Sequence, residues 1–445
     1  MTNSSKNIDV RNRYLSGFKD FESKLNGESE SYLHLIRKLA FEKLGNTEFP
    51  TMKNEEWKYT NVNPVLETNY IPAFISEKTV ITADDVNERI YTGFDCYKMV
   101  FINGEYSEEL SDMENLPEGV TAGSIRKLLK EQPEIVEKYI GKNLYKENAF
   151  NLLNSAYATD GIFVHAAKGV VVEKPIQVVY INGSKDQNLL ITPRNIFAAD
   201  ENAEFSVITN HSGIEGKSYF TNIVTEGFLQ KDAKIKVYKL QNEADNAYHI
   251  ERAEVDLKET SVFSHYNITF GGSLVRNDIN TELNGEYCES NLYGLYFGSS
   301  DQHIDNHSLV KHMTPNCESN ELYKGILDDS SRGVFNGKIY VRKDAQKTNA
   351  YQSNKTILLS DDARIDTKPQ LEIYADDVKC SHGATIGHLD DTAYFYIISR
   401  GVPAELAKSM LIRAFVDDVV GKINIEPLRE QINHQIFEHL HRVEI

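Results

Sequence analysis

Cysteine is scarce in this chain: four in 445 residues, at Cys96, Cys288, Cys317 and Cys380, with no Cys-x-x-Cys pair. Positions so far apart exclude a disulfide framework of the small-secreted type, and free thiols are the expectation. Positive charge is short as well, with 48 Lys and Arg against 66 Asp and Glu for a net −18. A nucleic-acid partner needs a basic face, so that class is set aside. Neither G-x-x-x-x-G-K-[ST] nor G-x-G-x-x-G occurs, and any work drawn from ATP must come from another chain. No apolar run approaches the length of a membrane span, and Met1-Thr2-Asn3-Ser4-Ser5-Lys6 has no apolar signal core. The expectation is no membrane partner and a cytoplasmic location. What is present is ordinary for a folded globular protein, 40% hydrophobic and 26% charged. The length calls for two or three structural units.

Three textures follow one another along the chain. Residues 1–160 read as mostly helical. Tyr14, Phe18 and Phe21 fall at helical spacing, as do Leu35, Leu39 and Leu44 before Gly45. Further helices are expected through Ile125, Leu128 and Leu129, and through Phe150, Leu153 and Tyr157, stopping before Gly161. Residues 161–390 switch to short alternating runs such as Gly169–Val172, Gln177–Ile181 and Lys234–Tyr238, punctuated by Asn, Asp, Gly and Ser. Inside them runs a faint repeat. Ala203, Ala233, Ser261, Cys288 and Cys317 each place a small residue before an alternating run, at offsets of 30, 28, 27 and 29 residues. A period of that size predicts a stacked solenoid, and a right-handed parallel β-helix fits it, with small residues filling the inner row of successive coils. Residues 391–445 return to helix. Asp391 is a candidate cap for a helix through Phe395 and Ile398 that stops at Gly401, and Pro403 opens the next. Ala407, Leu411, Phe415 and Val419 then mark one apolar face, and Leu428, Ile432, Ile436 and Leu440 another. Such faces either cap the solenoid or dock a partner, and periodicity leaves both open.

Chemistry-bearing residues concentrate late in the chain. Asp376-Asp377-Val378-Lys379-Cys380-Ser381-His382-Gly383-Ala384-Thr385 puts a thiol and an imidazole two residues apart. Pro369–Ala375 reads as a strand, and if it continues, Cys380 and His382 project from one face. Two donors fall short of the roughly four that a structural zinc or iron–sulfur site takes. The pair therefore reads either as core packing or as half of a site shared with another chain. Upstream, His303, Asp305 and His307 sit at i, i+2 and i+4, a weaker candidate for iron or zinc whose alternative is a hydrogen-bonded ladder between coils that includes Asn306. A metal-dependent β-helix enzyme, polysaccharide-active or other, would use that triplet. The acidic pairs Asp328-Asp329, Asp361-Asp362 and Asp376-Asp377 supply at most one inward carboxylate each, which suits turns better than glycoside hydrolysis.

The stretch Pro369–Gly387, together with Phe335–Val341, Ala345–Thr348, Phe395–Gly401, His303–His307 and Glu56-Trp57-Lys58-Tyr59-Thr60, resembles the SufD side of the SufB/SufD family of iron–sulfur cluster assembly proteins. The resemblance covers most of the chain and is densest from about Leu283 to Phe415. It implies a β-helical core and a non-enzymatic scaffold that pairs with a SufB-like homologous subunit and docks a SufC-like ABC-type ATPase. It implies His382 as a ligand for a transient iron–sulfur cluster or iron at the partner interface, with Cys380 adjacent and none held stably by this chain alone. It also implies docking of the ATPase through the C-terminal helices, at Ala407, Leu411, Phe415, Leu428, Ile432 and Ile436. The segment Asn354–Leu359 lacks a cysteine and His382 is followed by Gly383-Ala384-Thr385, the SufD form. A homodimer is expected of the isolated chain, since an edge built for a homologue can pair with itself.

Overall fold

The computed structural model describes residues 3–25, 31–77, 81–142 and 148–439. The centre is a parallel β-solenoid of about eight turns. Each coil sends one strand to a twelve-stranded sheet and the next to a ten-stranded sheet, so that sequence-alternate strands are neighbours in both. The repeat seen in the sequence is the coil itself. Ala203, Ala233, Ser261, Cys288 and Cys317 stack on successive coils, each carbonyl accepting from the residue after the next small one, as in Lys234 N to Ala203 O at 2.8 Å and Glu318 N to Cys288 O at 2.9 Å.

The corner that precedes each small residue has its own signature. Asn202, Asp232, Thr260, Tyr287, Asn316 and Lys347 all adopt left-handed backbone, with φ between 58° and 62°. That conformation is disfavoured for side chains with a Cβ, and at Asn202, Asp232, Thr260, Asn316 and Lys347 the corner N–H donates to a carbonyl of the next coil, which holds it. A small residue must follow because its side chain turns straight into the lumen. There Val207, Val237, Leu292, Tyr296 and Tyr323 belong to one continuous apolar core.

Helices cover the two outer faces. The N-terminal set, including Asn3–Ser23, Tyr32–Leu44 and Ala149–Tyr157, packs Phe18, Phe21, Trp57 and Phe150 on Leu190, Phe220, Ile250 and Leu274 of the twelve-stranded sheet. The C-terminal helices Ala404–Val420 and Glu426–His439 pack on Tyr238, Ile268, Leu295 and Ile326 of the ten-stranded sheet.

Several expectations change in detail. The helix Tyr32–Leu44 forms, but it buries Leu33, Ile36, Arg37, Ala40 and Leu44, leaving Leu35 and Leu39 56% and 53% exposed. The stripe facing the core includes an arginine because Arg37 Nε donates to the Ala158 carbonyl at 2.7 Å. Within the N-terminal region, Tyr97–Ile102 joins the ten-stranded sheet in parallel with Ile176–Asn182. Residues 169–172 form no strand, only a single bridge from Val171 to Glu204. The run after Pro369 does not continue into the Cys-x-His segment. Gln370–Ile373 pairs within the twelve-stranded sheet, the chain bends at Asp376-Asp377, and Val378–Gly387 pairs in the other sheet. The helix cap is Asp390, whose Oδ1 accepts from Thr392 N and Ala393 N at 2.9 and 3.1 Å; Asp391 is the first helical residue. Leu440 lies outside the described residues.

Candidate functional site

Among the described residues, no element covers the last coil of the solenoid. Val378–Gly387 is the terminal strand of its sheet, paired on one side only, in register with Thr348–Ile357. On that neighbouring strand Thr348, Ala350, Gln352, Asn354 and Thr356 point inward and are buried. Their register partners are Val378, Cys380, His382, Ala384 and Ile386. Cys380 and His382 therefore do share a face, as period-two geometry requires, and it is the lumen face. With no further coil above them, His382 is exposed, Cys380 is half-buried and Ile386 stands 49% exposed. Cys380 packs beside Ile339, Val341, Ala350 and Ala375. Burial pushes its thiol pKa up, against a backbone hydrogen bond from Ala350, so within this chain alone it is a thiol and not an activated thiolate.

Sequence reasoning missed the polar column beneath His382. Gln352, its register partner, lies 30 residues back along the chain, and Glu321, the register partner of Gln352, a further 31; both are buried. Gln352 Nε2 donates to Glu321 Oε2 at 2.6 Å. Burial raises the Glu321 carboxyl to about 7, against hydrogen bonds from Ser308 and Gln352. The coil offset applied backwards from His382 would have found both residues. A folded-state pKa above the ordinary carboxylate value means stability is full below the unfolded pKa of about 4.5 and drains as pH rises through about 7. Glu321→Gln, a neutral mimic of the protonated acid, is expected to raise unfolding free energy by about 2 kcal/mol at pH 8 and leave it unchanged at pH 4. Urea melts at the two pH values read this directly. Equal differences at both would show that burial does not hold the proton.

The triplet His303, Asp305 and His307 does gather on one face, but not at an open site. It is closed over by the segment that carries Trp57. Thr60 Oγ1 donates to Asp305 Oδ2 at 2.5 Å and meets His303 Nε2 at 2.9 Å. Arg276, the register partner of Asp305 one coil back, donates from Nη1 to Asp305 Oδ2 and to the Glu56 carbonyl, both at 2.8 Å. Its Nη2 reaches Asp278 Oδ1 at 2.9 Å, and its guanidinium lies 3.6 Å from the centroid of the Trp57 ring. His307 Nε2 sits 3.0 Å from Asp305 Oδ1 and its Nδ1 3.6 Å from Glu56 Oε2. The residues proposed as metal donors are thus engaged in an ion-pair clasp that seats the N-terminal segment. Among the described residues no group of three or more His, Cys, Asp or Glu is placed to hold a metal ion. Asn306 does join a ladder between coils, its Oδ1 accepting from Asn267 and Asn277 at 3.0 and 3.2 Å.

The C-terminal stripes meet a similar fate. Ala407, Leu428, Ile432 and Ile436 are fully buried, the three larger ones within the core they share with the ten-stranded sheet. Their periodicity marks this chain's own packing face. Leu411 and Phe415 are half-buried, and Lys324 Nζ sits 4.4 Å over the Phe415 ring centroid while pairing with Asp418 at 2.6 Å. The outward apolar groups are different ones. Asp391–Ser399 buries no residue, and Phe395 and Tyr396 on it are 69% and 57% exposed. Among the described residues no helix is long and apolar enough to cross a membrane.

Comparison with known proteins agrees with this architecture along nearly its whole length. The SufBD core domain of the SUF system for FeS cluster assembly matches residues 180–415, and the SufBD N-terminal region matches residues 8–178. The iron–sulfur cluster assembly protein SufD of Escherichia coli is 29% identical over 402 residues, covering 90% of this chain and 91% of its own. SufD of Bacillus subtilis is 25% identical over 440 residues, 96% and 97% of the two chains. A SufBD family protein of Synechocystis is 28% identical over 421 residues, 92% of each. The core match alone spans more than half of the sequence, and with it the uncapped solenoid and its two helical coverings find their place: the chain belongs to the SufBD family of iron–sulfur cluster assembly proteins.

Proposed function

We propose that this chain is a non-enzymatic scaffold subunit whose last coil pairs with a SufB-like homologous subunit and presents His382 to a transient iron–sulfur cluster or iron held between the two. One observation carries the reading: the lumen-facing row of the terminal strand, with Cys380 and His382 in it, is left uncovered at a strand edge. An uncovered edge offers unpaired backbone groups and a homologous edge satisfies them, which also supports a homodimer in the absence of the partner. The cluster is cargo here. His382 supplies a nitrogen ligand, Cys380 stands next to it, and the partner supplies the remaining donors.

Docking of a SufC-like ABC-type ATPase belongs to the same reading. With four of the six predicted docking residues buried within this chain, the contact falls on the outward side of the C-terminal helices, where Phe395 and Tyr396 are exposed and Leu411 and Phe415 lie at the margin.

The test is anaerobic cluster formation by this chain purified together with SufB-like and SufC-like partners, wild type against His382→Ala, with size-exclusion chromatography alongside. Cluster yield in the variant is expected to fall at least tenfold while the complex elutes unchanged. Full yield from an intact variant complex would reduce His382 to a packing residue and end the ligand assignment.

A further inference from the structure

Cys288 and Cys317 occupy the inner corner row of two adjacent coils. They are direct neighbours in register, since Glu289 pairs with Glu318 and Glu318 N donates to the Cys288 carbonyl at 2.9 Å. In-register neighbours on parallel strands stand roughly 4.8 Å apart, inside the Cα range that a disulfide spans, and closing the bond asks the two Cβ atoms to approach by roughly 1 Å. The Cys288 thiol donates to the Lys258 carbonyl at 2.9 Å and the Cys317 thiol to the Gly285 carbonyl at 3.2 Å. Each follows a left-handed corner residue, Tyr287 or Asn316, and Tyr287 is solvent-exposed, so the pair lies one residue beneath the surface of the turn.

A third group completes the cluster. His312 is fully buried and meets Ser319 Oγ with Nε2 at 2.9 Å; its imidazole helps lower the Cys317 pKa. Its Nδ1 has no hydrogen-bond partner. Thr314 Oγ1 lies 3.5 Å from Cys317 Sγ. The coupling between the two thiols, with His312 and Thr314 beside Cys317, pulls the Cys317 pKa down, and the same coupling together with burial pushes Cys288 up. Cys317 is the thiol assigned to attack, with Thr314 and His312 beside it. Two thiols and one imidazole do not make a metal site, and none is found among the described residues.

We propose that Cys288 and Cys317 form a redox-active dithiol that closes reversibly into a disulfide between adjacent coils, with a peroxide as the two-electron oxidant. Cys317 gives its proton to the His312 imidazole and its sulfur attacks one peroxide oxygen. The O–O bond breaks, the departing oxygen takes the proton from His312 and leaves as water, and Cys317 becomes a sulfenic acid. The Cys288 sulfur then attacks the Cys317 sulfur, the S–O bond breaks, and hydroxide leaves with the Cys288 proton as a second water. Two thiols have lost two electrons, and one hydrogen peroxide has become two waters. The bond staples the solenoid wall two coils below the uncovered edge, and an external thiol reopens it.

Reduced full-length chain, treated with hydrogen peroxide and then alkylated under denaturing conditions, reads the outcome by mass spectrometry. Wild type and Cys380→Ser are both expected to lose the mass of two hydrogens and yield a Cys288–Cys317 linked peptide that dithiothreitol removes. Cys288→Ser is expected to stop at a sulfenic acid on Cys317, trapped by dimedone, and Cys317→Ser to give neither product. Serine is tolerated at this corner, because Ser261 holds the same row one coil earlier. The proposal fails if both thiols of the folded wild type remain alkylatable after Cys380 has been oxidised. It fails equally if the linked peptide forms only in urea, or if dimedone marks Cys288 in preference to Cys317.

Discussion

Arg276→Met is expected to lower the stability of this protein by about 3–5 kcal/mol, because it strips the counter-charge from two carboxylates that water does not reach. Asp278 and Asp305 are both buried, and each takes a short hydrogen bond from this guanidinium. The substitution also removes the donor to the Glu56 carbonyl and the cation over the Trp57 ring. Trp57 is the single tryptophan of the chain, so the clasp contains its own reporter. In urea, the fluorescence transition of the variant is expected at lower denaturant than the loss of far-UV dichroism, as the N-terminal segment lifts off before the solenoid unravels. Coincident transitions at the wild-type midpoint would mean that the clasp contributes nothing. Adding Asp305→Asn to Arg276→Met should recover part of the loss, since the stranded charge goes with it.

The same clasp sets a pH window. Burial and Arg276 work against the charge on His307, yet Asp305 and Glu56 raise its pKa above the usual value. Its contribution is therefore full below pH about 6.5 and lost as pH rises through the raised value. Burial alone would raise the Asp305 carboxyl, but His307, Arg276 and His303 hold it well below the carboxylate range. A hydrogen bond from His307 lowers Glu56, against desolvation. These two contribute above their unfolded pKa values, about 4 to 4.5, and lose the contribution as pH falls through the depressed ones. The clasp is strongest between about pH 4.5 and 6.5, and Trp57 fluorescence against pH in moderate urea should peak there in the wild type and flatten in His307→Gln.

Gly325→Ala carries the next largest expected effect, a loss of about 2–3 kcal/mol from overpacking. In the lumen, large and small residues alternate across neighbouring coils: Gly294 is the register partner of Tyr323, and Gly325 that of Tyr296. Each glycine opens the space into which the facing ring folds. A Cβ on Gly325 would stand 2.3 Å from Tyr296 Cε2, and one on Gly294 2.1 Å from Tyr323 Cδ1. Neither ring has room to swing, since both tyrosines are buried. Tyr296 is also tied through its hydroxyl to Thr356 Oγ1 at 3.0 Å. Thermal unfolding should show the loss in Gly325→Ala, with most of it restored in Gly325→Ala combined with Tyr296→Leu. An unchanged melting temperature in the single variant would show that the coils slide apart freely, against the in-register stacking that defines the fold.

The sequence read alone was informative wherever a local rule applied. Small residues at Ala203, Ala233, Ser261, Cys288 and Cys317 recur because each coil must turn its chain into the lumen at the same corner, and steric demand at one position per coil leaves a period that needs no partner to be seen. Cys380 and His382 share a face because strand geometry alternates, whatever the strand pairs with. The helices at Tyr32–Leu44, Ala149–Tyr157, Ala404–Val420 and Glu426–His439 follow likewise from spacing of apolar residues. What a stripe faces is another matter. Ala407, Leu428, Ile432 and Ile436 look the same on paper whether the surface opposite is this chain's solenoid or another protein.

Only the tertiary structure could decide the rest, because the deciding contacts join residues far apart in the chain. Asp305 is committed to Arg276 at a separation of 29 residues and to Thr60 at 245, and no local pattern announces either. Those partners turned a candidate metal triplet into a clasp. The same logic runs the other way at the chain's last coil. Cys380 and His382 are accessible there only because the stacking stops, a fact about the neighbour that is missing and not about the residues themselves. Sequence fixes which way a side chain points; the packing of distant segments fixes whether anything is there to meet it.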